Sequence, residues 1–179
     1  MIIHVPNKNT LIIDDFKLRC CIGKGSINSN KKEGDYSTPK GLFDLRKLYF
    51  RKDRVGIPKC KINKKIIKQD MAWCDDPKHK KYNEEIKTSN KSLKENLHRK
   101  DHKYDYIISI SHNEKKTPGK GSAVFIHLTD NYKPTAGCVA LKKKDFEILL
   151  KLIDQKKVID VFTQFKTKKV KSIEIISDD

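Results

Sequence analysis

Apolar positions along this chain recur mostly with a period of two, in short runs separated by polar turn residues. Residues 2–5, 10–13 and 16–22 are runs of this kind, rich in β-branched side chains and spaced like a meander of hairpins. Residues 42–50, 104–110 and 122–128 predict further strands, with later ones over 158–162 and 173–176. One segment follows a helical period instead. Phe146, Leu149, Leu150 and Ile153 fall at three- and four-residue spacing and predict a helix over 142–154 with one buried stripe, although its start lacks a good capping residue. Residues 51–103 are lysine-rich, show no sustained period, and are too long for an ordinary connection. They are expected to be an insertion or a cap over a site. The basic stretch 166–172 reads as a solvated turn before a last edge strand.

The fold class expected is mainly β (a β-rich α+β domain). A curved or sandwiched mixed sheet, one major helix and an irregular cap over 51–103 would form a single domain spanning 1–179.

Composition narrows the picture only slightly. Of 179 residues, 36% are hydrophobic and 35% charged, so the core must be compact and the surface crowded with charge. The net charge of +17 invites a nucleic-acid reading. The lysines are spread along the whole chain and arginine is scarce, so general attraction to acidic polymers explains the charge better than specific recognition. A carboxylate-rich substrate would suit such a surface equally. No stretch approaches the roughly 20 apolar residues of a membrane span. The first residues, Met1-Ile2-Ile3-His4-Val5, show no charged start followed by an apolar run, so no signal peptide is visible. Five cysteines without framework spacing read as reduced thiols.

The candidate chemistry lies late in the chain. Ala123-Val124-Phe125-Ile126-His127-Leu128 is an apolar strand that delivers a histidine. After a polar loop, Pro134-Thr135-Ala136-Gly137-Cys138-Val139 delivers a thiol from a turn of small residues, and a helical segment is expected to follow at once. A cysteine attacks carbonyls as thiolate, and a nearby imidazole is the usual means of making one at neutral pH. Gly137 lets the backbone approach a substrate, and amides near Gly137 and Cys138 could hold an oxyanion. A thiol at the start of a helix would also gain from the partial positive charge there. The group that orients His127 is open at this stage: a backbone carbonyl, Asp130 or Asn113.

These residues resemble the L,D-transpeptidase catalytic domain, also called the YkuD-like family. That family carries a histidine on a strand, a variable loop, then Ser/Thr-x-Gly-Cys; His127 and Thr135-Ala136-Gly137-Cys138 occupy those places. Thr38-Pro39-Lys40-Gly41-Leu42-Phe43 is similar to the family's Thr-Pro-x-Gly-x-Phe element, and Ile22-Gly23-Lys24-Gly25 to the strand end before it. Trp73-Cys74-Asp75-Asp76-Pro77, Tyr82-Asn83 and Gly119-Lys120-Gly121-Ser122 look like one branch of the family. Two positions depart from the usual pattern: Ala136 stands where many members have a second histidine, and Ala140 where many have an arginine. One of Lys142, Lys143 and Lys144 is the expected replacement for that arginine's contact to a substrate carboxylate.

The resemblance implies cysteine acyl transfer on peptidoglycan stem peptides, with Cys138 as nucleophile and His127 as base. Gly137, Thr135 and Ala136 would serve the oxyanion and substrate, and neither metal nor organic cofactor is needed. It implies an L,D-transpeptidase of cell-wall biogenesis, a monomer acting in the periplasm or cell envelope, in tension with the absent export signal. An L,D-carboxypeptidase would use the same residues with water as acceptor. A different class is a basic nucleic-acid-binding protein whose Cys and His are structural.

The remaining candidates have plainer readings. Cys20, Cys21, Cys60 and Cys74 are expected to pack as small hydrophobes. His98 and His102 stand four apart and are expected on a solvated basic helix rather than on a zinc ion. The Thr38-Pro39 step is expected to be an architectural turn.

Overall fold

The computed structural model describes residues 2–88, 94–153 and 158–161. Its largest sheet has nine strands, and eight of them close into a ring. In chain order these begin with β1 (Ile2–Asn7), β2 (Thr10–Ile13) and β3 (Phe16–Cys21), the meander that the alternating runs predict. Two short strands, β4 (Ile27–Asn28) and β5 (Thr38–Pro39), pair with each other, and β6 (Gly41–Phe50) rejoins the large sheet. A four-residue helix α1 (Lys52–Val55) and strand β7 (Lys64–Ile66) follow, β7 pairing in parallel with the end of β6. The cap carries its own antiparallel sheet: β8 (Met71–Cys74) lies between β9 (Glu85–Lys87) and β10 (Lys94–Asn96). The chain then returns through β11 (Tyr106–Ile110), β12 (Phe125–Leu128) and β13 (Val139–Leu141). Helix α2 (Lys143–Leu152) and β14 (Val158–Val161) complete the described residues. Around the ring the order is β11-β12-β13-β3-β2-β1-β14-β6, closed by pairing of β6 with β11. The strand expected over 173–176 and the basic turn before it lie outside the described residues.

Closure leaves the ring without free edges, a solution open to a mixed sheet whose strands alternate strictly. The inward set is aliphatic: Ile3, Val5, Leu11, Ile13, Leu48, Ile108, Ile126, Leu128, Val139 and Leu141 form one buried cluster. Helix α2 lays Phe146, Leu149 and Leu150 onto that cluster, and the Phe146 ring stacks on Tyr106 with centroids 5.4 Å apart. As the sequence suggests, its N-cap residue Lys142 makes no side-chain capping bond. His4 and Asp160, opposite each other on β1 and β14, join through Nδ1 and Oδ2 at 2.7 Å and fasten the parallel closure.

Outward residues of the same wall build a second cluster. Tyr49, Tyr104, Ile107, Phe125 and Cys138 are covered by Ile67, Met71, Leu97 and Trp73 of the cap. The cap therefore rests on the outer face of β6, β11 and β12, over the cysteine.

Two expectations fail here. The segment after Cys138 is a strand, because Val139, Ala140 and Leu141 pair with β12 on one side and β3 on the other. The helix starts only at Lys143, so the thiol gains nothing from a helix N-terminus. The stretch holding His98 and His102 is a series of bends, not a basic helix. Its carbonyls are taken by arginines of the α1 turn: Arg51 donates to Arg99 O, and Arg54 donates to Lys100 O and Asp101 O. Carbonyls bound in this way cannot serve a helical ladder.

Candidate active site

Strand alternation sets the site. Along β12, Ile126 and Leu128 point into the ring, so Phe125 and His127 point outward under the cap. Ile126 pairs with Val139, which places Cys138 beside Phe125 on the same outer face. Two residues along that face lies His127. A strand spacing of about 4.8 Å and a two-residue rise of roughly 6.6 Å put their Cα atoms about 8 Å apart on one face. Both line one cavity of about 420 Å³, together with Tyr104, Thr135 and Ala136. A second cavity of about 180 Å³ opens on the other side of the thiol, bordered by Gly137, Lys31, Glu33, Asp75 and Glu95.

The turn that carries Cys138 is fixed from several directions. Thr135 exchanges backbone bonds with the end of β3, its amide donating to Ile22 O and its carbonyl accepting from Lys24 N, both at 2.9 Å. The Thr135 hydroxyl donates to Cys138 O at 2.6 Å and accepts from Gly137 N at 3.1 Å. Gly137 has φ +143°, and a Cβ there would stand 2.7 Å from Ser37 O, so only glycine fits. This consumes the Gly137 amide expected for an oxyanion. The Cys138 amide makes no hydrogen bond among the described residues. Ala136 lines both cavities and adds no polar group.

The Thr38-Pro39 element supports this turn, as its architectural reading requires. Thr38 Oγ1 accepts from Gly23 N at 2.8 Å, and the preceding loop is locked by Asp35. Asp35 accepts from Lys31 Nζ at 2.6 Å, from the Ser37 amide and hydroxyl, and from Lys32 N. Burial works against ionisation of Asp35, but Lys31 and the amides outweigh it and hold the carboxyl well below its usual range.

Electrostatically, both central groups rest neutral. Burial pushes the Cys138 thiol up to about 12, against a lowering hydrogen bond from the Phe125 amide. Burial pulls His127 down to about 4, against the raising effect of the Leu128 carbonyl. His127 Nδ1 lies 2.8 Å from Leu128 O; a carbonyl can only accept, so Nδ1 carries the proton and Nε2 presents a bare lone pair. Of the three candidate orienting groups, the backbone carbonyl is the one used. Asp130 pairs with His102 at 2.7 Å, and Asn113 binds Thr117 O and Gly121 O. The thiol donates to Ala123 O and receives Phe125 N–H, each at 3.3 Å. A preformed thiolate–imidazolium pair is thus not the resting state.

The other cysteines pack: Cys20, Cys21 and Cys74 are buried and Cys60 half-buried. Lys142, Lys143 and Lys144 do not line the cavity; its cationic walls are Arg99, Lys103 and Lys133. Asn83 is a supporting residue that sequence reasoning quoted without assigning a role. It accepts from Trp73 Nε1 at 2.9 Å and from Ala123 N at 3.2 Å, and donates to the carbonyls of His112 and Asn113, each at 3.0 Å. It ties the cap to the residue whose carbonyl holds the thiol. Glu33 acts similarly, accepting from Tyr82 and Ser122.

No curated protein matches this chain. Among solved structures it is similar to Bd1075 of Bdellovibrio bacteriovorus, with 12% identity, a TM-score of 0.44 and 90% of this chain covered. The chain spans 47%, about half, of that protein's length. A family model described as the L,D-transpeptidase catalytic domain matches residues 1–161, which include the closed ring, the cap, His127 and the Cys138 turn, and the chain belongs to that family.

Proposed function

We propose that the protein is a peptidoglycan L,D-transpeptidase with Cys138 as nucleophile and His127 as general base. The observation that carries this reading is that a thiol and an imidazole with its Nε2 lone pair free line one cavity on one face of the ring. In the acylation step the Cys138 proton moves to Nε2 as Sγ bonds to the carbonyl at the L-to-D bond of a stem peptide. The Cys138 amide is the donor left for the resulting oxyanion. The carbonyl re-forms, the C–N bond breaks, and D-alanine leaves with the proton from His127. An amine of a neighbouring stem then attacks the thioester and gives its proton to Nε2. The C–S bond breaks, and the sulfur recovers a proton from the imidazolium.

Aminolysis rather than hydrolysis is supported by the second cavity, where Glu33 and Asp75 lie near the thiol and favour approach of a cationic acceptor. The substrate would put the protein's work in the cell envelope. None of the described helices is long and apolar enough to cross a membrane.

Intact-protein mass spectrometry with a carbapenem as acyl donor tests the nucleophile. Wild type gains one adduct, whereas Cys138→Ala stays folded and gains none; an equal adduct on the variant would refute the assignment. Incubation with tetrapeptides separates the acceptors, since cross-linked dimers report transpeptidation and free tripeptide reports a carboxypeptidase.

A further inference from the structure

Attack by a thiol gathers negative charge, first on the sulfur and then on the substrate oxygen, and a buried site must offset it. In the smaller cavity most of the charged walls work the other way. Glu33 and Asp75 line it, and Glu95, which lines both cavities, opposes ionisation of Cys138. Lys31 is the one cation lining this cavity among the described residues. Its side chain is only 6% exposed, unlike most lysines of this chain.

Two glycines define the path of that side chain. A Cβ at Gly121 would stand 3.0 Å from Lys31 Cγ, 3.1 Å from Lys31 Cε and 3.1 Å from His112 Nε2. A Cβ at Gly137 would stand 3.6 Å from both Cε and Nζ of Lys31. The stem therefore runs past Gly121 and His112 and brings the ammonium up to the residue that precedes the nucleophile. Asp35 Oδ1 at 2.6 Å and Lys32 O at 3.0 Å take two of its three N–H groups and hold it there. Asp35 is itself anchored by the Lys32 and Ser37 amides. The field of the ammonium reaches Cys138, where it favours the ionised sulfur.

We propose that the buried Lys31 ammonium is the counter-charge for the anion formed at Cys138 during acyl transfer, a positioning residue that acts across the Gly137 turn without touching substrate. The inference rests on the assignment of Cys138 as nucleophile above and adds the group that offsets its charge.

Iodoacetate and iodoacetamide differ by one negative charge. The ratio of their rates at Cys138, located by peptide mass, therefore reads the local potential whatever the exposure or ionised fraction of the thiol. Lys31→Met is expected to lower that ratio about fivefold, Lys31→Arg to keep it, and Asp35→Asn to raise it. Acylation by a tetrapeptide should lose about tenfold in kcat in Lys31→Met with KM unchanged, and Lys31→Arg should restore most of it. Should Lys31→Met melt too low to assay, Lys31→Met/Asp35→Asn leaves no unmatched carboxylate and is expected to show the same loss of kcat. An unchanged kcat on loss of the ammonium, equal losses in the methionine and arginine variants, or a reagent ratio that moves the same way in Lys31→Met and Asp35→Asn overturns the role of Lys31 and leaves the nucleophile standing. Absence of any acyl-enzyme in wild type overturns both.

Discussion

On β12, Ile126 and Leu128 enter an aliphatic cluster inside the ring, while Phe125 and His127, one residue away, enter an aromatic and polar layer beneath the cap. Inside, most side chains are plain hydrocarbon, and well-packed replacements of similar volume are the best tolerated there. Outside, Tyr49, Trp73, Phe125, Tyr104 and His127 meet edge to face in succession, with centroids 5.1–6.2 Å apart. Cys138 closes that series. Left-handed backbone occurs on this side too, among other places: Asn83, Asn113 and Ala123 have positive φ of 56°, 49° and 52°. Such conformations cost energy and persist where surroundings over-determine them. One strand thus carries stability on one face and the proposed chemistry on the other, and the two should be open to separate damage.

The sharpest break exchanges neighbours on β12. His127→Gln keeps the volume but removes the proposed base, and acylation of Cys138 is expected to fall about 10³-fold with little change in melting temperature. Leu128→Ala should destabilise by about 2–5 kcal/mol, while the acylation rate per folded molecule stays near wild type. Single-turnover acylation and thermal melts on both variants measure this. Similar losses in both quantities for both variants would erase the distinction between the faces.

A smaller effect comes from titration of the buried groups on the outer face. His127 falls from its ordinary 6.5 to about 4, so folding favours its neutral form. That contribution is complete above the ordinary value and disappears as pH drops through 4. Between pH 7 and 4.5 it amounts to about 2–3 kcal/mol. Cys138 rises from 9 to about 12, so its contribution is complete below the lower value and is lost toward the higher. The acid limb of the melting curve should flatten in His127→Gln and keep its slope in Leu128→Ala.

How much of this was legible follows from the same contrast. The inward set announces itself by alternation, so every strand of the ring but β13, and the stripe on α2, could be read from spacing alone. His127 on a strand and Cys138 on a small-residue turn were legible as well. The strand after the cysteine was not, because Val139-Ala140-Leu141 followed by lysines suits either a helix start or a three-residue ladder. Pairing with both β3 and β12 decides it, and that is a tertiary fact. The sheet of the cap escaped for a related reason: β8 has four residues and its partners three each, too few to show a period.

The least disruptive test acts at the joint between the cap and the wall. Asn83→Ala removes an acceptor for Trp73 and Ala123 and a donor to the carbonyls of His112 and Asn113, and it places an alanine at φ +56°. A cost of about 1–3 kcal/mol is expected from the lost hydrogen bonds. Asn83→Asp keeps the acceptor side and loses the donor side, so it should fall between. Because Ala123 O holds the thiol, loosening Ala123 should raise alkylation of Cys138 by iodoacetamide while slowing its acylation by a stem peptide. Tryptophan near-ultraviolet dichroism would report the cap directly, since Trp73 loses its indole partner in the alanine variant and keeps it in the aspartate one. A variant with altered Trp73 signal but unchanged Cys138 reactivity would show that the cap is seated independently of the thiol, and the outer layer would then be two parts rather than one.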